Sequence, residues 1–256
     1  MAISTRVTEM LGITHPILLA PMDLVSDGKL AAAVTRAGGF GIIGGGYGDE
    51  KWLSRELDAA GKSRIGVGFI TWSMARNPRV LDLTLERGPV AIMLSFGEIR
   101  PHADKIKRTG ARLICQVQTL EQARDVAANG ADIIVAQGAE GGGHGISRGT
   151  FPFVPAVVDV ANDIPVVAAG GVADGRGLAA ALMLGAEGVL MGTRFYASSE
   201  AAGATEAKNR IVAASGDHTI RSIRSTLPGR VSGRRPTPGA CWKMNSPRDG
   251  AAARLS

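Results

Sequence analysis

One glycine-rich segment carries two side chains that are suited to chemistry. Residues 136–145 read Ala-Gln-Gly-Ala-Glu-Gly-Gly-Gly-His-Gly and follow the apolar run Ile133-Ile134-Val135. A buried strand that opens into glycines lets the backbone approach a flat or phosphorylated ligand closely. Gln137 brings an amide to that place, and His144 brings a group that titrates near neutral pH. The segment therefore predicts a ligand-binding loop in which His144 is the candidate proton acceptor.

Two later glycine turns predict a phosphate site. Gly170-Gly171 and Gly192-Thr193 each follow a short apolar run and precede a helical pattern. Backbone N–H groups in such turns bind phosphate, and the Thr193 hydroxyl adds a donor. Arg194 comes next, either as a cation for the phosphate or as an ordinary surface arginine, and the sequence favours neither reading.

The elements that position these residues form a regular alternation. Apolar runs predict strands at 16–20, 39–43, 64–70, 90–94, 112–116, 132–136, 165–169 and 188–191. Helical patterns lie at 28–37, 50–60, 78–86, 99–109, 120–129, 153–161, 175–184 and 198–214. Short strands joined by helical crossovers indicate a parallel sheet. Eight such units predict one α/β domain with a (β/α)8 TIM barrel from about Ile13 to Ala214, whose ligand site lies at the carboxyl ends of the strands.

The positive charge of the chain is concentrated at its end. The 256 residues contain 29 Lys and Arg against 23 Asp and Glu, a net charge of +6. From Arg221 to Ser256 there are eight basic residues and one acidic residue, so this end carries +7 and the rest carries −1. We divide the chain into a barrel domain, 1–225, and a basic tail, 226–256. The tail shows neither interleaved aromatic residues nor an amphipathic period, which favours a solvated, disordered end over a nucleic-acid or membrane partner.

Cysteine usage and the N-terminal residues suggest a cytoplasmic protein. Cys115 lies in an apolar run and Cys241 lies in the tail, so the two cysteines form no disulfide framework. The first eleven residues lack the apolar stretch of a secretory signal, and no apolar run approaches the length of a membrane span. We expect a reducing compartment and a small-molecule substrate, and no nucleic-acid or membrane partner. The sequence leaves open whether the chain forms a homo-oligomer.

Four motifs together resemble the nitronate monooxygenases, formerly called 2-nitropropane dioxygenases. They are Pro-Ile-Leu-Leu-Ala-Pro-Met at 16–22, Gln-Gly-Ala-Glu-Gly-Gly-Gly-His at 137–144, Ala-Gly-Gly-Val-Ala-Asp at 169–174 and Met-Gly-Thr-Arg-Phe at 191–195. The resemblance runs from about Thr14 to Ser225. It implies a TIM barrel that holds FMN without a metal and oxidises alkyl nitronates or nitroalkanes with molecular oxygen.

The resemblance also implies roles for individual residues. Ala20, Pro21 and Met22 would lie behind the isoalloxazine ring of FMN. Gln137 and Gly142 would contact the cofactor. Its phosphate would lie on the two turns, which comprise Gly170, Gly171, Gly192, Thr193 and Arg194. His144 would stand near the flavin as a base.

Two acidic residues are assigned from the sequence itself. Glu140 is expected to orient the loop through backbone N–H groups. Asp23 either faces the ligand or caps the helix that starts near Gly28, and the sequence favours the cap.

The chain departs from the family pattern at two places. The family has a flavin-contacting asparagine after the third strand, whereas residues 66–72 read Gly-Val-Gly-Phe-Ile-Thr-Trp, so Gly68 or Thr71 stands in its neighbourhood. After Ser225 the family continues with a further helix, whereas this chain becomes an aperiodic mixture of Arg, Pro, Gly, Ser and Ala, which favours an out-of-frame ending. Two alternatives therefore accompany the nitronate hypothesis: an FMN-dependent enoyl-thioester reductase and a non-catalytic flavin-binding barrel.

Overall fold

A computed structural model describes residues 3–145 and 147–219, and the tail at 226–256 lies outside these ranges. Eight parallel strands form one sheet, in the spatial order β1-β8-β7-β6-β5-β4-β3-β2. The strands are β1 Ile17–Leu19, β2 Ile42–Gly44, β3 Gly66–Ile70, β4 Ala91–Ser95, β5 Arg112–Val117, β6 Ile133–Gln137, β7 Val166–Ala169 and β8 Gly188–Met191. All eight predicted strands are confirmed, with ends shifted by no more than a few residues.

The two edge strands of this order meet and close the ring. Leu18 and Phe40 form an isolated parallel bridge. The Leu19 N–H donates to the Phe40 carbonyl at 2.9 Å, and the Phe40 N–H donates to the Ile17 carbonyl at 2.9 Å. The sheet is therefore a barrel, and the predicted fold class is confirmed.

Helices follow the strands around the barrel. They are α1 Arg6–Leu11, α2 Gly28–Arg36, α3 Glu50–Ala60, α4 Thr71–Met74, α5 Arg79–Glu86, α6 Arg100–Arg108, α7 Leu120–Ala128, α8 Thr150–Val158, α9 Gly175–Met183, α10 Thr193–Tyr196 and α11 Thr205–Ala213, with a 3-10 turn at Gly216–His218. The eight predicted helices are present. The last predicted helix was expected to begin at residue 198, but α11 begins at Thr205. The Lys208 ammonium donates hydrogen bonds to the Ser199 and Ala201 carbonyl oxygens, so these carbonyls do not accept helical hydrogen bonds.

Alternation along the strands separates two apolar cores. One core fills the barrel, and every strand except β3 contributes side chains to it. Its members from the strands, together with Phe40 just before β2, are Leu18, Phe40, Ile42, Ala91, Met93, Ile114, Ile133, Val135, Val167, Ala169 and Leu190. The corresponding positions of β3 are Gly66 and Gly68, which have no side chains. The strand residues between these inward-facing positions face outward and pack under the helices. Because successive strand residues point to opposite faces, every second side chain faces the barrel interior as far as the carboxyl ends of the strands, which form the mouth of the barrel.

Helix α1, which the sequence analysis did not predict, closes the opposite end of the barrel. Val7 and Leu11 belong to the barrel core and are buried. The Thr5 hydroxyl caps α1 by accepting from the Thr8 N–H and donates to the Glu187 carbonyl at 2.8 Å. Arg6 forms an ion pair with Glu187. One turn and a half of helix therefore covers the amino-terminal end of the strands and leaves only the carboxyl end open for a ligand.

We expect Leu11→Ala to destabilise the barrel. The Leu11 side chain is 1% exposed among the barrel-core residues, and truncating a buried leucine costs about 2–5 kcal/mol. Urea unfolding followed by circular dichroism measures this loss. Met183→Ala is the control, because Met183 is 87% exposed and should change the free energy of unfolding by less than about 0.5 kcal/mol. Equal stability of the two variants would contradict a structural role for α1.

Candidate functional site

A buried serine shapes the turn after β1. The Ser26 hydroxyl donates to the Ala20 carbonyl at 2.7 Å and accepts from the Met22 N–H at 3.2 Å. Helix α2 then begins with Asp27 as its N-cap, whose carboxylate accepts from the Leu30 N–H at 2.8 Å. The expectation that Asp23 caps this helix is therefore wrong. Asp27 sits immediately before the first helical residue, Gly28, which is the position that an N-cap requires.

Glycines at the ends of three strands lie against this turn, and two of them, Gly44 and Gly68, leave the space that it occupies. A Cβ on Gly44 would lie 2.5 Å from the Met22 carbonyl oxygen, and a Cβ on Gly68 would lie 2.4 Å from the Pro21 Cβ. A Cβ on Gly192 would lie 3.5 Å from the Met22 Sδ and 3.6 Å from the Ala20 Cβ. The ends of β2, β3 and β8 therefore close around residues 20–22, and Pro21 occupies the space in front of Gly68.

The loop after β6 is anchored at its base by Glu140. The Glu140 carboxylate accepts from both the N–H and the hydroxyl of Thr150, each at 2.8 Å. Thr150 is the first residue of α8, whose N-cap Gly149 has no side chain to satisfy the helix start. Glu140 supplies that missing acceptor from across the loop. It orients the loop, as expected from the sequence, although its partners include a hydroxyl as well as a backbone N–H.

Three glutamine amides meet beneath the same loop. Gln116 and Gln118, both on the inward face at the end of β5, donate to the Gln137 Oε1 at 2.7 Å and 2.6 Å. The Gln137 amide nitrogen donates to the Gly142 carbonyl at 3.0 Å, and the Gln118 amide nitrogen donates to the His144 carbonyl at 3.0 Å. The network thus joins two strands to the part of the loop that carries His144.

The two backbone carbonyls fix the direction of every amide in this network. A backbone carbonyl only accepts, so the amide nitrogens of Gln118 and Gln137 must face His144 and Gly142, respectively. Gln137 then presents its oxygen to Gln116 and Gln118, and both neighbours must donate to it. Rotating the amides would oppose oxygen with oxygen at both carbonyls. The Gln137 oxygen is consequently occupied, and only its second N–H is left for a ligand.

His144 stands half-buried at the mouth of the barrel. Its ring packs edge-on against Phe96, with the ring centroids 5.2 Å apart and the planes at 80°. Phe96 follows β4 with a positive φ of 61°, an uncommon conformation for a bulky residue. Burial lowers the pKa of His144 below the ordinary histidine value of 6.5. The imidazole is therefore uncharged at neutral pH and able to accept a proton.

The structure also brings the two predicted phosphate turns together. Ala169 pairs with Leu190 across β7 and β8, so the turns that follow these strands are adjacent. Gly170 and Gly171 have φ values of 107° and 73°, and a Cβ on Gly170 would lie 2.7 Å from the Gly141 nitrogen. Gly171, Thr193 and Arg194 are exposed. Arg194 has no ion pair among residues 3–145 and 147–219, which leaves its charge open to an anion.

The hydroxyl of Thr71, one of the two residues in the asparagine neighbourhood, is shut off from solvent. Thr71 is 2% exposed, and its hydroxyl lacks a hydrogen-bond partner among the described residues. A Cβ on Gly97 would lie 2.8 Å from the Thr71 Cβ, so the loop after β4 packs directly on it. Neither residue carries an amide: Gly68 has no side chain, and Thr71 offers only this enclosed hydroxyl.

The described part of the chain offers neither a metal site nor a membrane span. It contains no group of three or more His, Cys, Asp and Glu side chains placed to hold a metal ion. None of its helices combines the length and the apolar character needed to cross a bilayer.

A parallel barrel with a glycine-lined mouth defines a TIM-barrel protein whose ligand site lies at the carboxyl ends of its strands. The chain belongs to the nitronate monooxygenase family, whose model matches residues 4–62 and 68–233. The predicted family is confirmed, and so is FMN as the cofactor of this family.

The curated relatives are named for two different activities, nitronate monooxygenase and CoA-substrate dehydrogenase. The chain is 35% identical to a nitronate monooxygenase of Neurospora crassa, over 85% of this chain and 69% of that protein. It is 40% identical to the nitronate monooxygenase npaC of Metarhizium robertsii, over 85% of this chain and 68% of that protein. It is also 35% identical to (3aS,4S,5R,7aS)-5-hydroxy-7a-methyl-1-oxo-octahydro-1H-indene-4-carboxyl-CoA dehydrogenase of Mycobacterium tuberculosis, over 90% of this chain and 66% of that protein. The chain thus spans about two thirds of the length of these relatives.

Two solved structures are similar to this chain. FabK from Thermotoga maritima is 37% identical, with a TM-score of 0.81 over 87% of this chain and 72% of that chain. Nitroalkane oxidase from Streptomyces ansochromogenes is 28% identical, with a TM-score of 0.70 over 80% of this chain and 72% of that chain.

We expect Thr71→Val to leave FMN content unchanged and to keep or raise the melting temperature. The change removes, at nearly constant shape, a buried hydroxyl that has no hydrogen-bond partner in the described part of the chain, so no such bond is lost there. Thr84→Val is the matched control: Thr84 is equally buried, but its hydroxyl donates to the Val80 carbonyl at 2.7 Å. The control should lose about 1 kcal/mol of stability. Thermal unfolding and flavin absorbance test both variants, and loss of FMN from Thr71→Val would show that the hydroxyl does reach the cofactor.

Proposed function

We propose that this chain is an FMN-dependent oxidoreductase that oxidises alkyl nitronates or nitroalkanes with molecular oxygen. The observation that carries the proposal is His144, which is half-buried, uncharged at neutral pH and held over the barrel mouth. Relatives named nitronate monooxygenase support the same reaction class. A cytoplasmic location stays a prediction; it rests on the free, buried Cys115.

The residues at the mouth fit FMN. The turn at Ala20, Pro21 and Met22 offers an apolar surface for the isoalloxazine ring. Gln137 has one N–H left to donate, and Gly142 lies beside it without a side chain to block the approach. When bound, FMN supplies a two-electron acceptor that oxygen reoxidises.

The phosphate of FMN would lie where the two turns meet. Gly170, Gly171 and Gly192 allow close approach because they have no side chains, and Thr193 adds a hydroxyl. Arg194 would neutralise part of the charge of the dianion. The assignment is supported by the exposed backbone of Gly171 and by Arg194, which is exposed and forms no ion pair among the described residues.

His144 would take the proton that a neutral nitroalkane must lose. Its imidazole accepts the acidic α-C–H proton, the C–H electron pair moves into the nitro group, and the products are a nitronate and an imidazolium. A preformed nitronate has already lost this proton and does not need the base. Because burial lowers the pKa of His144, the imidazole remains an acceptor at a more acidic pH than an ordinary histidine.

A thioester reductase is the second candidate, and an aromatic cluster at the rim favours it. Tyr47 and Trp72 are exposed, with ring centroids 5.9 Å apart, and the Arg76 guanidinium lies 5.1 Å from the Trp72 centroid. Exposed aromatic rings beside a cation suit a planar, anionic nucleotide such as a reduced nicotinamide or coenzyme A. The relative that is named for a CoA-bound substrate supports this class.

Anaerobic mixing separates the candidates. Under the proposed function, propyl nitronate bleaches the bound flavin and air restores the colour. Bleaching by NADH or NADPH, followed by reoxidation with an enoyl thioester, would contradict the proposed nitronate oxidation and identify a thioester reductase. A flavin that neither donor reduces would leave a non-catalytic flavin-binding barrel.

We expect Gly192→Ala to fold and to lose FMN. A Cβ here makes only ordinary contacts with Met22 and Ala20, and Gly192 has a negative φ of −109°, so the backbone is not strained. The added methyl instead lies against Met22 and Ala20, on the surface where the cofactor is proposed to bind. The flavin-to-protein absorbance ratio measures occupancy, and Gly216→Ala, which adds a Cβ in open space, is the control. Full occupancy in Gly192→Ala would remove this turn from the cofactor site.

We expect His144→Ala to lose turnover of neutral nitroethane by about 10²–10⁴-fold, the usual contribution of a positioned base. Turnover of ethyl nitronate should fall much less. Oxygen consumption with each substrate gives kcat/KM, and in the parent enzyme the acid limb of the nitroethane profile should lie below pH 6.5. His15→Ala is the control, since His15 is exposed before β1 at the opposite end of the barrel. Equal losses on both substrates would assign His144 to orientation instead of proton transfer.

A further inference from the structure

We infer that Gln118 is a positioning residue for His144: its side-chain amide ties the loop main chain at His144 to the end of β5. This inference deepens the proposed function, because its kinetic test needs nitroalkane turnover. It also has a physical consequence for the loop that is measured without turnover.

Gln118 stands on a rigid corner between β5 and α7. Its own N–H donates to the Gln122 side chain at 2.8 Å, and the Gln122 N–H donates to the Thr119 hydroxyl at 3.1 Å, where Thr119 is the N-cap of α7. The corner is thus fixed by the helix start and does not depend on the histidine loop. A side chain that projects from it is a stable anchor.

Side chains tie the loop to its surroundings at several points. Glu140 holds the base, and the next three residues are Gly141, Gly142 and Gly143, which bring no side chains to pack. Gln137 then holds the Gly142 carbonyl, and Gln118 holds the His144 carbonyl. Of these side-chain ties, the Gln118 bond is the one made to the histidine itself, so it sets where the imidazole stands relative to Phe96.

Gln116 provides a matched comparison within the same network. It donates to the same Gln137 oxygen, at 2.7 Å against 2.6 Å for Gln118. Among the described residues, the Gln116 side chain makes this one hydrogen bond, whereas the Gln118 amide also donates to the His144 carbonyl. Gln116→Leu and Gln118→Leu each remove one donor from Gln137, but only Gln118→Leu releases the main chain at His144.

The kinetic test uses the FMN-loaded enzyme and two substrates. We expect Gln118→Leu to lower kcat/KM for nitroethane by about 10- to 100-fold, since small displacements of a catalytic group cost up to about 10²-fold. Ethyl nitronate turnover should change less than about threefold. Gln116→Leu should not produce this difference between the two substrates. Gln118→Glu, which keeps the size but replaces the donor with an acceptor, should behave like Gln118→Leu.

A double-mutant cycle separates positioning from general damage. With His144→Ala already present, Gln118→Leu should cost about twofold or less on nitroethane, because the group that it positions is gone. Equal losses from Gln118→Leu with and without His144 would overturn the inference.

Hydrogen exchange of the intact holoenzyme tests the tie without turnover. Peptides that cover residues 138–149 should take up deuterium faster in Gln118→Leu and Gln118→Glu, and at the parent rate in Gln116→Leu. If the parent enzyme oxidises neither substrate, the proposed function fails while this measurement still decides the role of Gln118. Parent-like uptake in both Gln118 variants, or equal acceleration in Gln116→Leu, would overturn the inference.

Discussion

The ring of strands closes where Phe40 exchanges main-chain hydrogen bonds with Ile17 and Leu19 of β1. Two glycines allow this junction: a Cβ on Gly39 would lie 2.9 Å from the Ile17 carbonyl oxygen, and one on Gly41 would lie 2.0 Å from the Ala31 carbonyl oxygen. Closure brings the end of β1 against the ends of β2, β3 and β8. Without it, the candidate flavin surface at residues 20–22 would stand at a sheet edge, apart from the turns that follow the other strands.

The histidine loop shows how backbone groups determine side-chain chemistry. Two carbonyls, at Gly142 and His144, set the direction of three amides, and those amides determine which hydrogen-bonding group Gln137 has left for a cofactor. Within the loop, Glu140 fixes the base, and the glycines at 141–143 leave the main chain accessible to a ligand. The loop thus combines a main chain that approaches the ligand closely with a histidine whose place is fixed from a neighbouring strand.

The structure shows what lies near the position where the family has an asparagine after the third strand. In front of Gly68, the space that a larger side chain would need is filled by Pro21, and the nearby Thr71 hydroxyl is enclosed under Gly97. The polar groups at this mouth come instead from β5 and β6, as the amides of Gln116, Gln118 and Gln137. This is where the chain's chemistry is expected to differ from family members that carry the asparagine, and the rim aromatics Tyr47 and Trp72 lie on the same side of the mouth, after β2 and β3.

Hydrophobic alternation and glycine stops in the sequence determined the eight strands, the helices between them and the mouth at which the motifs end, because a parallel barrel repeats one local unit. The placement of Glu140 and His144 in a ligand-side loop was also predictable, since glycines surround them in the chain. The catalytic role of His144 stays a prediction. Helix α1 escaped prediction because six residues are too few for a helix that is stable alone, and its stability depends on contacts made with the barrel after folding. The Asp27 cap, the enclosed Thr71 hydroxyl and the Gln118 tie depend on which groups meet after folding. Gln118 and His144 are 26 residues apart in sequence, and only the barrel places the amide of one on the carbonyl of the other.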